Sequence, residues 1–121
     1  MLDLHSTSQG LAEVFLRQLG SVEEIFTRQL ESDLPAVSQL ANHVSRYRGK
    51  MLRPSLTILS GLTAVEGDIK QLESNSLQRL AAVIEMIHMA TLVHDDVLDD
   101  ADERRGTATV NNLRGNELAV M

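Results

Sequence analysis

The chain has no cysteine, only two prolines, and aromatic residues at 2%. Without cysteine there is no disulfide framework and no thiolate metal site. With so few rings, Leu, Val, Ile, Ala and Met must fill the core, as in many helical proteins. The chain does not open on the basic-then-apolar pattern of a secretory leader. No uninterrupted apolar run approaches the ~20 residues that span a bilayer, so no transmembrane segment is expected and the location reads as cytoplasmic. There is no basic excess either. The net charge is −6, the opposite of what a nucleic-acid binder usually carries. No strand-like alternation, internal repeat or low-complexity tract is present.

The 43% of apolar residues in 121 rules out a disordered chain and suits one domain. Their spacing is helical throughout. Residues 1–7 read as loose. Leu11, Val14, Phe15, Val22, Ile25, Phe26 and Leu30 form an amphipathic stripe. A fresh start is expected at Gly20-Ser21, because Ser21 and Glu24 fit a capping box. Asp33-Leu34-Pro35 reads as a cap followed by proline in the first turn of a helix running to about Arg48, with Val37, Leu40, Ala41 and Val44 inward and Gly49 as its stop. Pro54 opens a helix through Leu56, Ile58, Leu59, Leu62 and Val65 to a stop at Gly67. The longest helix is expected from Asn75 to about Asp99, with Leu77, Leu80, Ala81, Ile84, Ile87, His88, Thr91, Leu92 and Asp95 on one side. A polar loop with Gly106 and Gly115 follows. The ending GNELAVM reads as a helix just starting, without cap or stop, so the chain is expected to be the first part of something longer. The fold class is all-α.

Six carboxylates crowd into nine residues, Asp95 to Glu103. On a helix, Asp95 and Asp99 lie ~40° apart and Asp96 ~60° further round, so the three can converge on one point. They also sit at the helix C-terminus, where the dipole disfavours each by ~0.3–1 kcal/mol. A solvated acidic end is one reading. A cation is the other, and oxygen-only donors point to Mg²⁺ rather than Zn²⁺. Arg104-Arg105 follow directly, either neutralising the acids locally or offering two guanidinium forks to phosphate.

A basic counterpart lies upstream in RYRGKMLR, where Arg46, Arg48, Lys50 and Arg53 precede or enter a helix N-terminus. This is either a basic turn or an anion site. His88 stands two turns before Asp95 on the same face, as a core residue or a phosphate ligand; His94 lies ~100° off that direction and reads as structural. One acidic and one basic site together would suit two anionic substrates.

GKMLRP (49–54), EMIHMATLVHDDVLDDADERRG (85–106) and TVNNLRGNELAV together resemble the trans-polyprenyl diphosphate synthases, over roughly residues 20–121. DDxxD with RRG behind it and GKxxRP upstream is a specific compound signal. The resemblance implies a helical bundle like the N-terminal part of the isoprenoid synthase fold. It implies an enzyme joining isopentenyl diphosphate to an allylic diphosphate. By resemblance, Asp95, Asp96 and Asp99 are the catalytic aspartates that hold Mg²⁺, and Arg104 contacts the allylic diphosphate. Lys50, Arg53, His88 and Arg105 bind isopentenyl diphosphate. Ala90 and Thr91 wall the product tunnel, and the small Ala90 implies a medium- or long-chain product. The full-length enzyme would be a homodimer. Two departures stand out: Arg48 replaces the first of two usual glycines, and nothing matches the second aspartate-rich motif. Residues 1–121 therefore read as the N-terminal portion of one prenyl synthase domain. Two alternatives remain: a truncated copy that only binds diphosphate or assembles with another subunit, and a metal-dependent phosphohydrolase built on His88, His94 and Asp95, which leaves GKMLRP and RRG unexplained.

Overall fold

A computed structural model describes residues 4–66 and 75–121, with side chains from residue 9. Among the described residues six helices run in order: α1 (Leu4–Gln29), α2 (Pro35–Ser45), α3 (Leu52–Ala64), α4 (Ser76–Leu98), α5 (Val110–Arg114) and α6 (Asn116–Val120). Between α4 and α5 lies one small hairpin, β1 (Glu103–Arg104) and β2 (Thr107–Ala108). The all-α expectation is met. The segment after α4 is more structured than the expected loop, and the start of α6 is where GNELAVM suggested one.

Several boundaries differ from expectation. α1 is helical from Leu4, within the segment read as loose, and runs unbroken through Gly20-Ser21. Ser21 caps nothing; its hydroxyl donates back to the Arg17 carbonyl at 3.2 Å, the bond a mid-helix serine makes. The N-cap position of α2 is Leu34 rather than Asp33, without a side-chain cap bond, and the helix stops at Ser45. From Arg46 to Arg48 the backbone bonds reach back only three residues, a tightening that ends the helix before Gly49. α3 starts at Leu52, two residues before Pro54, from a left-handed Met51. α3 ends at Ala64 with Val65 as its C-cap, short of the stop expected at Gly67, which itself lies outside the described residues. α4 is long and apolar enough to cross a membrane by length and composition, which corrects the expectation that no segment is. It also carries the buried polar residues Gln78, Glu85 and Asp96, which belong in a protein core rather than in lipid.

The chain divides into two compact units. The first holds residues 1–28 and 51–84, the second residues 29–50 and 85–121. In the first, Val22 from α1, Met51, Ile58 and Leu62 from around α3, and Ala81 and Ala82 from α4 form one apolar cluster, with Val14, Phe15, Leu19 and Ile25 packed on it. Fully burying a Val or Ile contributes ~1.5–3 kcal/mol. In the second, Tyr47, Met89, Val93, Val110 and Ala119 are buried beside Asp96 and Thr109.

The buried side of α4 is not the expected one. Gln78, Ala81, Ala82, Glu85, Met89, Val93 and Asp96 are buried, while Leu80, Val83, Ile87 and Thr91 are exposed. The expected stripe is displaced by about one residue, roughly 100° of helix rotation. Val37, Leu11, Leu56 and Leu59, also expected inside, are exposed.

Candidate active site

α4 ends in a Schellman motif, and this sets the carboxylates in place. Ala101 N–H donates to Asp96 O at 2.9 Å and Asp100 N–H to Val97 O at 3.3 Å. Asp100 takes the left-handed conformation, φ 52°, usually left to glycine. Asp99 N–H still bonds Asp95 O at 2.8 Å, so Asp99 stays on the helical path one turn beyond Asp95. Both are exposed.

Asp96 behaves differently. It is 1% exposed. Its Oδ1 accepts from Arg104 Nε at 2.9 Å and Nη2 at 2.8 Å, while Oδ2 has no partner. That bond to Asp96 raises the already high pKa of Arg104, against desolvation. The three aspartates therefore do not converge as the helix angles suggested: two face solvent and one faces Arg104. Among the described residues no three His, Asp or Glu side chains form a group that could hold a metal. The donor chemistry at Asp95 and Asp99 still fits a hard cation that takes few protein ligands and shares phosphate oxygens.

The hairpin explains the RRG sequence. Glu103 pairs with Ala108 and Arg104 with Thr107, leaving Arg105-Gly106 as a two-residue loop. Both residues have positive φ, 52° and 73°, as a type I′ loop requires. Gly106 adopts this freely; Arg105 does so at some strain. A Cβ on Gly49 would stand 2.8 Å from Arg105 Nη1, so a glycine there is what lets the Arg105 guanidinium lie against the loop after α2.

A polar network ties the hairpin's flanks. Thr109 Oγ1 donates to Ala101 O at 2.7 Å and accepts from Asn112 N–H as the N-cap of α5. Asn111 Nδ2 reaches Ala101 O at 3.1 Å, and Asn112 Nδ2 reaches Asp102 O at 3.1 Å. On the other side, His43 Nε2 lies 2.6 Å from Ala108 O, and Tyr47 OH donates to the same oxygen at 3.2 Å. Burial pushes the Tyr47 pKa up, Asp96 adds to this, and a backbone bond from Val110 and the charge of Arg104 pull it back.

In the second unit the structure thus brings together Asp96, Arg104 and the Arg105–Gly49 contact. Lys50, in the same unit, is exposed, and His88 is half-buried on α4. Ala90 and Thr91 are both on the exposed side of α4. Arg53 is exposed in the first turn of α3, within the first unit. Sequence reasoning missed Tyr47, His43, Thr109 and the two asparagines. The available signal for the last three was a Thr-x-x-Asn run opening a short helix.

A family model described as polyprenyl synthetase matches residues 34–121. The octaprenyl diphosphate synthase of Escherichia coli (strain K12) is 36% identical over 113 residues, 93% of this chain and 33% of that protein. Among solved structures, a decaprenyl diphosphate synthase from Rhodobacter capsulatus superposes with a TM-score of 0.74 at 33% identity, over 93% of this chain and 33% of that one. A polyprenyl synthase from Caulobacter crescentus CB15, complexed with calcium and isoprenyl diphosphate, gives a TM-score of 0.71 at 31% identity, over 89% and 32%. The chain spans about a third of the length of the relatives it matches.

Proposed function

Because the chain belongs to the polyprenyl synthetase family, we propose that it carries the first aspartate-rich half of a prenyltransferase site. The reaction joins isopentenyl diphosphate to an allylic diphosphate and lengthens a trans-polyprenyl chain to medium or long products. The observation that carries this reading is the Asp96–Arg104 pair at the end of α4. Arg104 uses Nε–H and one Nη2–H on Asp96, and a guanidinium has five N–H donors. Three remain for phosphate oxygens, and the bond to Asp96 fixes the fork before the anion arrives.

Asp95 and Asp99 would hold Mg²⁺ together with diphosphate oxygens; Asp96 serves as the anchor of Arg104. When bound, the metal neutralises charge growing on the departing diphosphate as its C–O bond breaks. Arg104 holds that diphosphate. Lys50, His88 and Arg105, all in the second unit, bind isopentenyl diphosphate, whose double bond attacks the allylic carbon; a proton is then lost to leave a new double bond. Ala90 and Thr91 stand on the wall of the tunnel for the growing chain, and the small Ala90 leaves it open. The longer protein works as a cytoplasmic homodimer.

The test is calorimetric titration of the 121-residue chain with inorganic pyrophosphate, with and without Mg²⁺. Binding that needs Mg²⁺ and falls at least about tenfold in Asp95→Asn or Arg104→Gln supports the reading. Binding unchanged in both variants overturns it. A second reading, a diphosphate-binding or subunit-assembly module without turnover, is favoured by one observation: the chain covers only a third of its relatives. Incorporation of labelled isopentenyl diphosphate by this chain alone would remove it; pyrophosphate binding without incorporation supports it.

A further inference from the structure

Tyr47 is the only tyrosine in the sequence, and its side chain is almost wholly buried in the second unit. It and His43 are one turn apart at the end of α2, ring edge to ring face, with centroids 5.6 Å apart and planes at 73°. Both aim a donor at one atom, the carbonyl oxygen of Ala108, at 3.2 and 2.6 Å. A carbonyl has two lone pairs, so this one is saturated. Ala108 is the second residue of β2. Its neighbour Thr107 pairs with Arg104.

The hairpin itself is slight. Each strand has two residues, and an isolated two-stranded hairpin is marginal in water. Its loop also contains Arg105 in a left-handed conformation, which costs rather than contributes. Something outside the hairpin must hold it. From α4 it is held at Arg104 by Asp96; from α2 and the turn after it, it is held at Ala108 by His43 and Tyr47. Burial alone would be served equally well by a phenylalanine at position 47. The hydroxyl adds a direction.

We propose that Tyr47 is a positioning residue for Arg104: with His43 it grips the Ala108 carbonyl and fixes the hairpin, so that the Arg104 guanidinium stays seated on Asp96 with its remaining N–H groups ready for an anion. Only the anion clause rests on the prenyltransferase reading. The seating of Arg104 is a property of the free chain.

The test follows solvent exchange of the Arg104 Nε–H by ¹⁵N NMR in the full chain, the signal being assigned by its loss in Arg104→Lys. Losing one hydrogen bond of ordinary strength from the clamp should speed this exchange about fivefold in Tyr47→Phe and in His43→Gln, with unchanged helix content by circular dichroism. Asn112→Ala removes a different side-chain bond near the hairpin, to Asp102 O, and should leave the rate unaltered. Unchanged exchange in Tyr47→Phe overturns the proposal, as does equal acceleration in Asn112→Ala, which would mean general loosening. His43→Gln keeps the test decisive if Tyr47→Phe lowers helix content. A second arm measures inorganic pyrophosphate with Mg²⁺. If exchange accelerates but even the unaltered chain binds no pyrophosphate, the clamp stands and the anion role of Arg104 falls. If pyrophosphate binds and Tyr47→Phe alters neither readout, the clamp is wrong and the prenyltransferase reading survives.

Discussion

The two units are held by different physics. In the first, Val22, Ile58, Leu62, Ala81 and Ala82 meet as apolar surface, and the buried polar side chains among the described residues are the uncharged Gln18 and Gln78, with Gln78 Nε2 donating to Gln18 Oε1. In the second, buried positions include Asp96, Glu85 and Thr109, and the hydroxyl of Tyr47 has a named acceptor. Apolar contact is non-directional, so a core like the first tolerates swaps of similar volume. A buried polar network fixes directions, and each missing partner is expensive in a low-dielectric interior. The residues that recommend a phosphate site, Asp95 to Arg105, all lie in the second unit. Fixing a guanidinium to within a bond length needs the second kind of interior.

Breaking the apolar side should give the largest loss of stability. Ile58 is fully buried, and Ile58→Ala should cost ~3 kcal/mol in urea unfolding, within the range for such truncations. Ile58→Leu should cost under ~1.5 kcal/mol. Equal costs for the two would show that shape, not volume, controls this core, and would erase the contrast with the second unit.

The polar side should respond next. Arg104→Ala leaves the Asp96 carboxylate buried without a counter-charge. Removing one partner of a fully buried pair costs ~3–5 kcal/mol. The Arg104 side chain is 25% exposed, so water can replace part of it and ~2 kcal/mol is expected. Arg104→Lys keeps the charge and loses the fork, and should recover under half of that loss. Full recovery by lysine would mean that charge, not geometry, holds this site.

How the sequence could be read differs between the units for the same reason. α3 and α4 were legible to within two residues, because helical spacing of apolar residues survives whatever the tertiary context. The inward face of α4 was not. Helical spacing selects Leu80 and Ile87 as core, yet they are exposed while Gln78, Glu85 and Asp96 are buried. A pattern rule assumes that polar means outside, and a site-bearing helix breaks it. Gly20-Ser21 misled through a local capping signal that α1 overrides by running on. The hairpin is two residues a side, too short for alternation to register; Arg105-Gly106 was its one trace. Asp95, Asp96 and Asp99 were identified as a cluster from spacing, but spacing carries no information on which of them Arg104 would hold. Tyr47 stood among four cations, with no pattern to mark a clamp.

A smaller effect separates the units by pH. Tyr47 has its pKa raised from the ordinary 10.0, first by burial and then by Asp96. With no tryptophan in the chain, tyrosinate absorbance at the red edge reports this residue alone, and its midpoint should lie above that value. The folded form binds this proton more tightly than the unfolded one. The associated stability is therefore full below about pH 10 and is lost as pH rises through the folded pKa. The measurement is the difference in stability between the unaltered chain and Tyr47→Phe. That difference should shrink as pH rises above 10; a constant difference would show that the ring's burial does not distinguish the phenol from the phenolate.

The smallest effect concerns the two exposed aspartates, and it tests whether the contrast reaches inside one motif. Asp95 and Asp99 face solvent at the C-terminal end of α4, where the dipole disfavours a carboxylate by ~0.3–1 kcal/mol. Among the described residues neither makes a close salt bridge, although the Asp95 charge acts on Arg104 from further off. Asp95→Asn and Asp99→Asn should therefore leave the thermal midpoint unchanged or raise it slightly in metal-free buffer. Asp96→Asn should lower it, because the amide meets Arg104 without charge. Added Mg²⁺ with pyrophosphate should raise the midpoint of the unaltered chain and do so less in Asp95→Asn and Asp99→Asn. The sign reversal is the informative part. A carboxylate that supports the fold is missed when ligand is absent; one kept for a cation is missed only when ligand is present. If all three substitutions lower the midpoint equally without ligand, the aspartates act as one structural cluster and the division between an anchor and two metal-facing groups is wrong.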